Sequence, residues 1–104
     1  MQTKEELIQE IVELGYLKSP NIIKAFLAID RKNFVTIDKQ DEAYLDIPLS
    51  IGFGQTISQP LTVAFMLELL SPQKGDVVLD IGSGSGWTSA LLAYLVSDGG
   101  KDLK

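Results

Sequence analysis

The first third of the chain carries helical periodicity. Leu7, Ile8, Ile11, Val12 and Leu14 recur at the spacing of one helix face. Thr3 followed by Glu6 forms a capping-box pair at its start, and Gly15 is a natural stop. A second start is Ser19-Pro20, a cap residue ahead of proline at the first helical position. Ile22, Ile23, Phe26, Leu27 and Ile29 form its apolar stripe. Both stripes read as core-facing sides of short amphipathic helices.

The pattern then changes three times. Residues 31–60 have no strong period, and TIDKQDEAYLDIP is polar and loop-like. LSIGFG reads as a short strand, with its glycines at sharp bends or close backbone approaches. A loop this long in a compact chain is uncommon and often functional. Pro60 opens a third helix, LTVAFMLELL, apolar nearly all round and therefore expected to be buried on most faces. Pro72 and Gly75 break it. VVLDI, residues 77–81, is a β-branched apolar run that reads as a parallel strand buried on both faces. A glycine loop, GSGSG, leads into a last apolar helix, WTSALLAYLV, which SDGG ends. The pattern predicts one α/β unit, residues 1–104. Helices and a long loop fill residues 1–59, and a strand–loop–helix unit begins within residues 60–104.

Composition narrows the chemistry. With 104 residues and 45% apolar content the chain is globular in character. The net charge is −5 and the lysines are scattered, which argues against a nucleic-acid partner. There is no cysteine, hence no disulfide and no thiolate chemistry. The cytoplasm is compatible with that. The polar N-terminus does not resemble a signal peptide, and no apolar run reaches a membrane span. There is no histidine either, which removes His-based triads, His–metal sites and the commonest general base. No metal site is expected.

A strand running through alternating glycines into a helix is a nucleotide-type site. Glycines let backbone amides approach a ligand closely. Dinucleotide binders need G-x-G-x-x-G, and here Trp87 occupies the third glycine place. A P-loop is excluded, since no Gly-Lys-Ser/Thr follows. The spacing present is Gly82, Gly84, Gly86, with Asp80 two residues before the first. It looks like motif I of S-adenosylmethionine (SAM) methyltransferases. A carboxylate at Asp80 could balance the cationic methionine half of that cofactor, or it could simply cap the loop amides.

Three segments, in order, extend this likeness. They are Arg31–Val35 (RKNFV), Ala43–Asp46 (AYLD) and Ile51–Pro60 (IGFGQTISQP), followed by GDVVLDIGSGSGW. Together they resemble the protein-L-isoaspartate O-methyltransferase family. Thr36, where that family often has proline, and Trp87, where tyrosine is usual, are minor departures. The resemblance implies the N-terminal portion of a Rossmann-like SAM-dependent methyltransferase fold. It implies methyl transfer from SAM to the free α-carboxylate of L-isoaspartyl residues in damaged peptides and proteins. By the match, Ser58 has the catalytic-role hydroxyl, with a helix cap as its alternative role. Gln55, Thr56, Ile57 and Ser58 would contact substrate. Thr56, Asp80, Gly82, Ser83, Gly84 and Gly86 would contact SAM. Tyr44 and Asp46 read as loop anchors.

The family's domain is considerably longer. Past Lys101 its pattern continues with a strand ending in an acid that binds the SAM ribose. Asp102 has no strand before it and is discounted. The chain is therefore expected to be incomplete, and to self-associate through unpaired strand edges. Two other functions stand beside the enzyme. One is a non-catalytic peptide-interaction module of the same family. The other is a dinucleotide-binding dehydrogenase domain, which Trp87 disfavours.

Overall fold

The computed structural model describes residues 2–77 and 86–97. Helix α1 spans Lys4–Glu13 and starts as its residues dictate. Glu6 N–H donates to the Thr3 hydroxyl at 3.1 Å, and Thr3 N–H donates to Glu6 Oε1 at 2.8 Å. Leu7, Ile8 and Ile11 are its buried side. Leu14 leaves the expected stripe and is 57% exposed. It lies past the last full turn, where Gly15 at φ +86° redirects the chain.

Helix α2 spans Pro20–Ala28. Its cap differs from expectation. The Ser19 hydroxyl donates 2.7 Å to Glu68 Oε1 rather than accepting from its own first turn. Glu68 Oε2 accepts the N–H groups of Lys18 and Ser19 at 2.7 and 2.8 Å. A carboxylate from a distant helix thus occupies the α2 N-terminus, where negative charge is favoured. Burial alone would raise the Glu68 pKa, but the hydrogen bonds from Ser19 and Lys18 outweigh it and leave it lowered.

Two 3-10 turns, Arg31–Phe34 and Ile37–Glu42, structure what reads as loop in the sequence. Then comes a hairpin. β1 (Leu49–Gly52) pairs antiparallel with β2 (Gln55–Ile57), with Leu49 opposite Ile57 and Ser50 opposite Thr56. The register is irregular between Ser50 and Gly52. The expected short strand is present. Its partner was not anticipated, because a three-residue strand is too short to show alternation.

Helix α3 spans Pro60–Leu70 and buries Pro60, Val63, Ala64 and Leu67. The expectation of burial on most faces does not hold. Phe65, Met66, Leu69 and Leu70 are exposed. Tyr16 meets Phe65 edge-on at 5.8 Å. An all-apolar helix says nothing about which of its faces is covered.

Helix α4 spans Trp87–Val96 and contributes Trp87, Leu91, Leu92 and Leu95 to the core. Phe26 of α2 meets Trp87 edge-to-face at 5.6 Å, a favourable aromatic geometry. One cluster joins α1, α2, the hairpin, α3 and α4. Of the expected parallel strand, Val77 is described and fully exposed. Its remainder, the glycine loop through Ser85, and Asp102 lie outside the described residues. Among the described residues no helix is long and apolar enough to cross a membrane.

Candidate functional site

β2 delivers the segment Gln55–Ser58 to the surface. Gln55, Thr56 and Ser58 are exposed, whereas Ile57 alternates inward and is buried. That is the period of a strand with one face on the core. The Ile57 side chain is therefore a core group opposite Leu49, and only its main chain is left to meet a ligand.

Ser58 does not cap α3. Gln59 holds the N-cap position and makes no side-chain cap bond. Asp46 acts in its place, its Oδ1 accepting the Leu61 N–H at 2.8 Å from across the loop. Among the described residues the Ser58 hydroxyl has no hydrogen-bond partner, so it is available to an incoming group. Tyr44 is an anchor, as its position suggests. Its hydroxyl donates to Asp30, 2.8 Å from Oδ1 and 3.0 Å from Oδ2. Burial first, and the Asp30 bond next, push the phenol up to about 12.

The organising residue is Arg31, 2% exposed. Its Nη1 donates to the carbonyls of Ala43 and Leu45 at 2.9 and 3.1 Å. Its Nη2 donates to the carbonyls of Ile47 and Ser58 at 2.7 and 3.1 Å. The guanidinium also lies 5.5 Å from the centroid of the Trp87 ring, in cation–π range. Its Nε is buried with no partner. Burial pulls its pKa down to about 10 while the Asp46 charge opposes the fall, so Arg31 stays cationic at neutral pH. In the sequence Arg31 stands only as the first letter of a matching segment. A lone arginine in a polar stretch reads as surface, and RKNFV was the only signal pointing to it.

Arg31 joins the two halves of the candidate site. One Nη holds the carbonyl of Ser58, and the same planar group lies against the first residue of α4. The first residue of α4 and the carbonyl of Ser58 therefore meet one side chain. Gly86, which precedes Trp87, has φ +82°. A Cβ there would meet the Phe34 ring at 3.7 Å, an ordinary contact. The backbone conformation, not crowding, asks for glycine.

Of the residues expected to contact SAM, Thr56 and Gly86 are described. Asp80, Gly82, Ser83 and Gly84 lie outside the described residues. Those present fit such a ligand in kind: Gly86 is a positive-φ glycine opening a helix, and Thr56 is an exposed, uncharged hydroxyl on β2. A cleft of about 890 Å³, lined by Pro20, Lys24, Lys74 and Tyr94 among others, contains none of the expected site residues. No group of three or more acidic residues suited to a metal ion occurs among the described residues.

Residues 1–103 match the family described as Protein-L-isoaspartate(D-aspartate) O-methyltransferase (PCMT). A protein-L-isoaspartate O-methyltransferase of Methanopyrus kandleri is 45% identical over 100 residues, covering 96% of this chain and 44% of the relative. One from Fervidobacterium nodosum is 51% identical over 85 residues, covering 82% and 43%. A solved protein-L-isoaspartate O-methyltransferase superposes with a TM-score of 0.80 at 34% identity, over 92% of this chain and 31% of its own. A Plasmodium falciparum structure, described as a complex of a putative enzyme of this kind with S-adenosyl-L-homocysteine, gives 0.79 at 26% identity, over 89% and 42%. The chain spans less than half the length of each of these relatives.

Proposed function

Because this chain belongs to the protein-L-isoaspartate(D-aspartate) O-methyltransferase family, we propose that it serves SAM-dependent methylation of the free α-carboxylate of L-isoaspartyl residues in damaged proteins. It carries the acceptor segment and the first cofactor-binding turn of that reaction. The observation that carries this reading is the Arg31 link. One guanidinium holds the Ser58 carbonyl at 3.1 Å and lies 5.5 Å from the Trp87 ring. The segment ending at Ser58 and the first residue of α4 are thereby tied to one side chain.

The chemistry suits a chain without histidine. A carboxylate of pKa about 4 is already ionised at neutral pH, so no general base is needed. When bound, SAM supplies an electrophilic methyl group on a cationic sulfonium. The protein's task is alignment, which can contribute up to ~7–11 kcal/mol in well-oriented reactions. Ser58 donates its hydroxyl hydrogen to the acceptor carboxylate and fixes its direction. Gln55 and Thr56 add uncharged donors, and Ile57 contributes main chain. Donors without charge orient an anion and leave it nucleophilic. Asp80, Gly82, Ser83, Gly84 and Gly86 would hold the cofactor, Asp80 answering its ammonium and the glycines admitting backbone amides.

The exposed face of α3 favours a second reading, that the chain binds isoaspartyl peptide without turnover. Phe65, Met66, Leu69 and Leu70 make that face an apolar surface on which a bound peptide would pack. We place the chain in the cytoplasm, and expect it to self-associate through unpaired strand edges. Methyl-labelled SAM, the chain and an isoaspartyl peptide, run beside the aspartyl isomer, separate the two. Label in the isoaspartyl peptide alone, lost in Ser58→Ala, supports the enzyme. Selective peptide binding without label supports the module. Equal behaviour of the two isomers overturns both.

A further inference from the structure

The hairpin tip is built against the usual rules. Gly52 pairs with Gln55, which leaves Phe53 and Gly54 as a two-residue loop. Both have positive φ, +54° and +72°. That is the requirement of a type I′ turn, whose first loop position favours asparagine, aspartate or glycine. A phenylalanine there is a backbone outlier, since its Cβ crowds the neighbouring carbonyl. Its ring is also fully exposed. The strain is thus not offset by burial within the chain. Strain of this kind persists at ligand clamps and binding sites, where the side chain acts on something else.

The tip has one direct neighbour of functional interest. β2 runs from the loop straight to Ser58. Phe53 and Ser58 are five positions apart, at most about 17 Å of extended chain. A peptide whose isoaspartate lies at Ser58 would reach that distance in roughly four or five residues of its own.

We propose that Phe53 is a substrate-contact residue whose ring packs on the peptide several positions away from the isoaspartate. This rests on the reading of Gln55–Ser58 as the acceptor segment. The ring is a sequence-tolerant contact, because an aromatic face accepts aliphatic side chains, aromatic rings and peptide planes alike. Such a contact suits a repair activity that meets damage in many sequence settings. It predicts a dependence on peptide length. Long acceptors gain from Phe53 and short ones do not.

The test is calorimetric titration of the chain with two isoaspartyl peptides. One has about five residues on each side of the isoaspartate, enough to reach the tip. The other has a single residue on each side. Each is titrated into the wild-type chain, Phe53→Asn and Phe53→Gly. Both variants suit a positive-φ position, so the unfolding midpoint should hold or rise. The expected result is about tenfold weaker binding of the long peptide, with the short peptide unchanged. Equal effects on both peptides, or none, would overturn the role of Phe53 while leaving the acceptor segment in place. Failure of the wild-type chain to bind either peptide would overturn the acceptor reading and this inference together. A lowered unfolding midpoint in Phe53→Asn would show that the ring packs within the chain, and would also overturn it.

Discussion

Replacing Arg31 with methionine tests the centre of this structure. The substitution keeps much of the apolar stem and removes the guanidinium. Four carbonyls, those of Ala43, Leu45, Ile47 and Ser58, lose their donor at once. A hydrogen bond from a charged donor contributes roughly 1.5–3 kcal/mol, so the gross loss is large. Opposing it is the cost of burying the cation, registered in the fall of its pKa from 12.5 to about 10 and worth on the order of 3 kcal/mol. The carbonyls lie in a loop that can partly turn to water, which softens the loss further. A net cost of about 3–5 kcal/mol follows, the usual range for breaking a buried charged network. Domains of this size have only ~5–15 kcal/mol in total.

The chain carries its own reporter. Trp87 is its single tryptophan and packs against the guanidinium. Urea unfolding followed by its emission should show the midpoint of Arg31→Met far below wild type. Arg31→Lys keeps the charge but presents one ammonium in place of a planar fork, and cannot serve carbonyls on four sides. It should lose about 2–3 kcal/mol, between the other two. If Arg31→Met unfolds within about 1 kcal/mol of wild type, the four bonds do not organise the site and the reasoning fails.

Three further outcomes follow from single contacts. Gly86→Ala should cost about 1–2 kcal/mol from its positive φ alone. Because the new Cβ meets Phe34 at an ordinary 3.7 Å, trimming the ring with Phe34→Leu should not restore stability, and rescue in thermal melts would contradict this. Asp46→Ala should cost about 1 kcal/mol, the worth of a helix cap, with faster amide exchange confined to the start of α3. Unchanged exchange at Leu61 would refute the capping role. Tyr44 has its folded pKa raised from 10 to about 12, so its contribution is full below pH 10 and is lost as pH rises towards 12. The stability difference between wild type and Tyr44→Phe should shrink across that window, and a pH-independent difference would count against it.

The sequence exposes most plainly those parts whose physics is local. The capping box at Thr3 and Glu6, the periodic stripes of α1 and α2, and the proline starts of α2 and α3 each involve residues within one or two turns. They can be read from spacing alone. The hairpin was half visible, because its turn uses Phe53-Gly54 where Asn-Gly would announce it. The roles of Ser19 and Asp46 were inverted by tertiary contacts. Ser19 looks like the cap of α2 but donates to Glu68, while the cap of α3 comes from Asp46 in another segment. Arg31 was invisible as a hub, since its five partners are spread from residue 43 to residue 87. The uncovered face of α3 was equally hidden, because composition records how apolar a helix is and not what lies beside it.

The same hub bears on the chemistry of the acceptor. Arg31 places a positive charge directly behind the Ser58 main chain, yet both hydrogens of each Nη are committed to carbonyls. An anion arriving at Ser58 would feel the field of that charge without being able to form the bidentate pair that Arg usually offers a carboxylate. A paired carboxylate is stabilised in its ground state, and that stabilisation adds to the barrier for methyl transfer. On the proposed reading, the groups left to face the anion would be the Ser58 hydroxyl and the exposed Gln55 and Thr56, all uncharged. Attraction would then come from a cation whose Nη groups are already committed, and orientation from donors that carry no charge. Separating those two tasks would suit a carboxylate nucleophile, and the burial of Arg31 is consistent with that division.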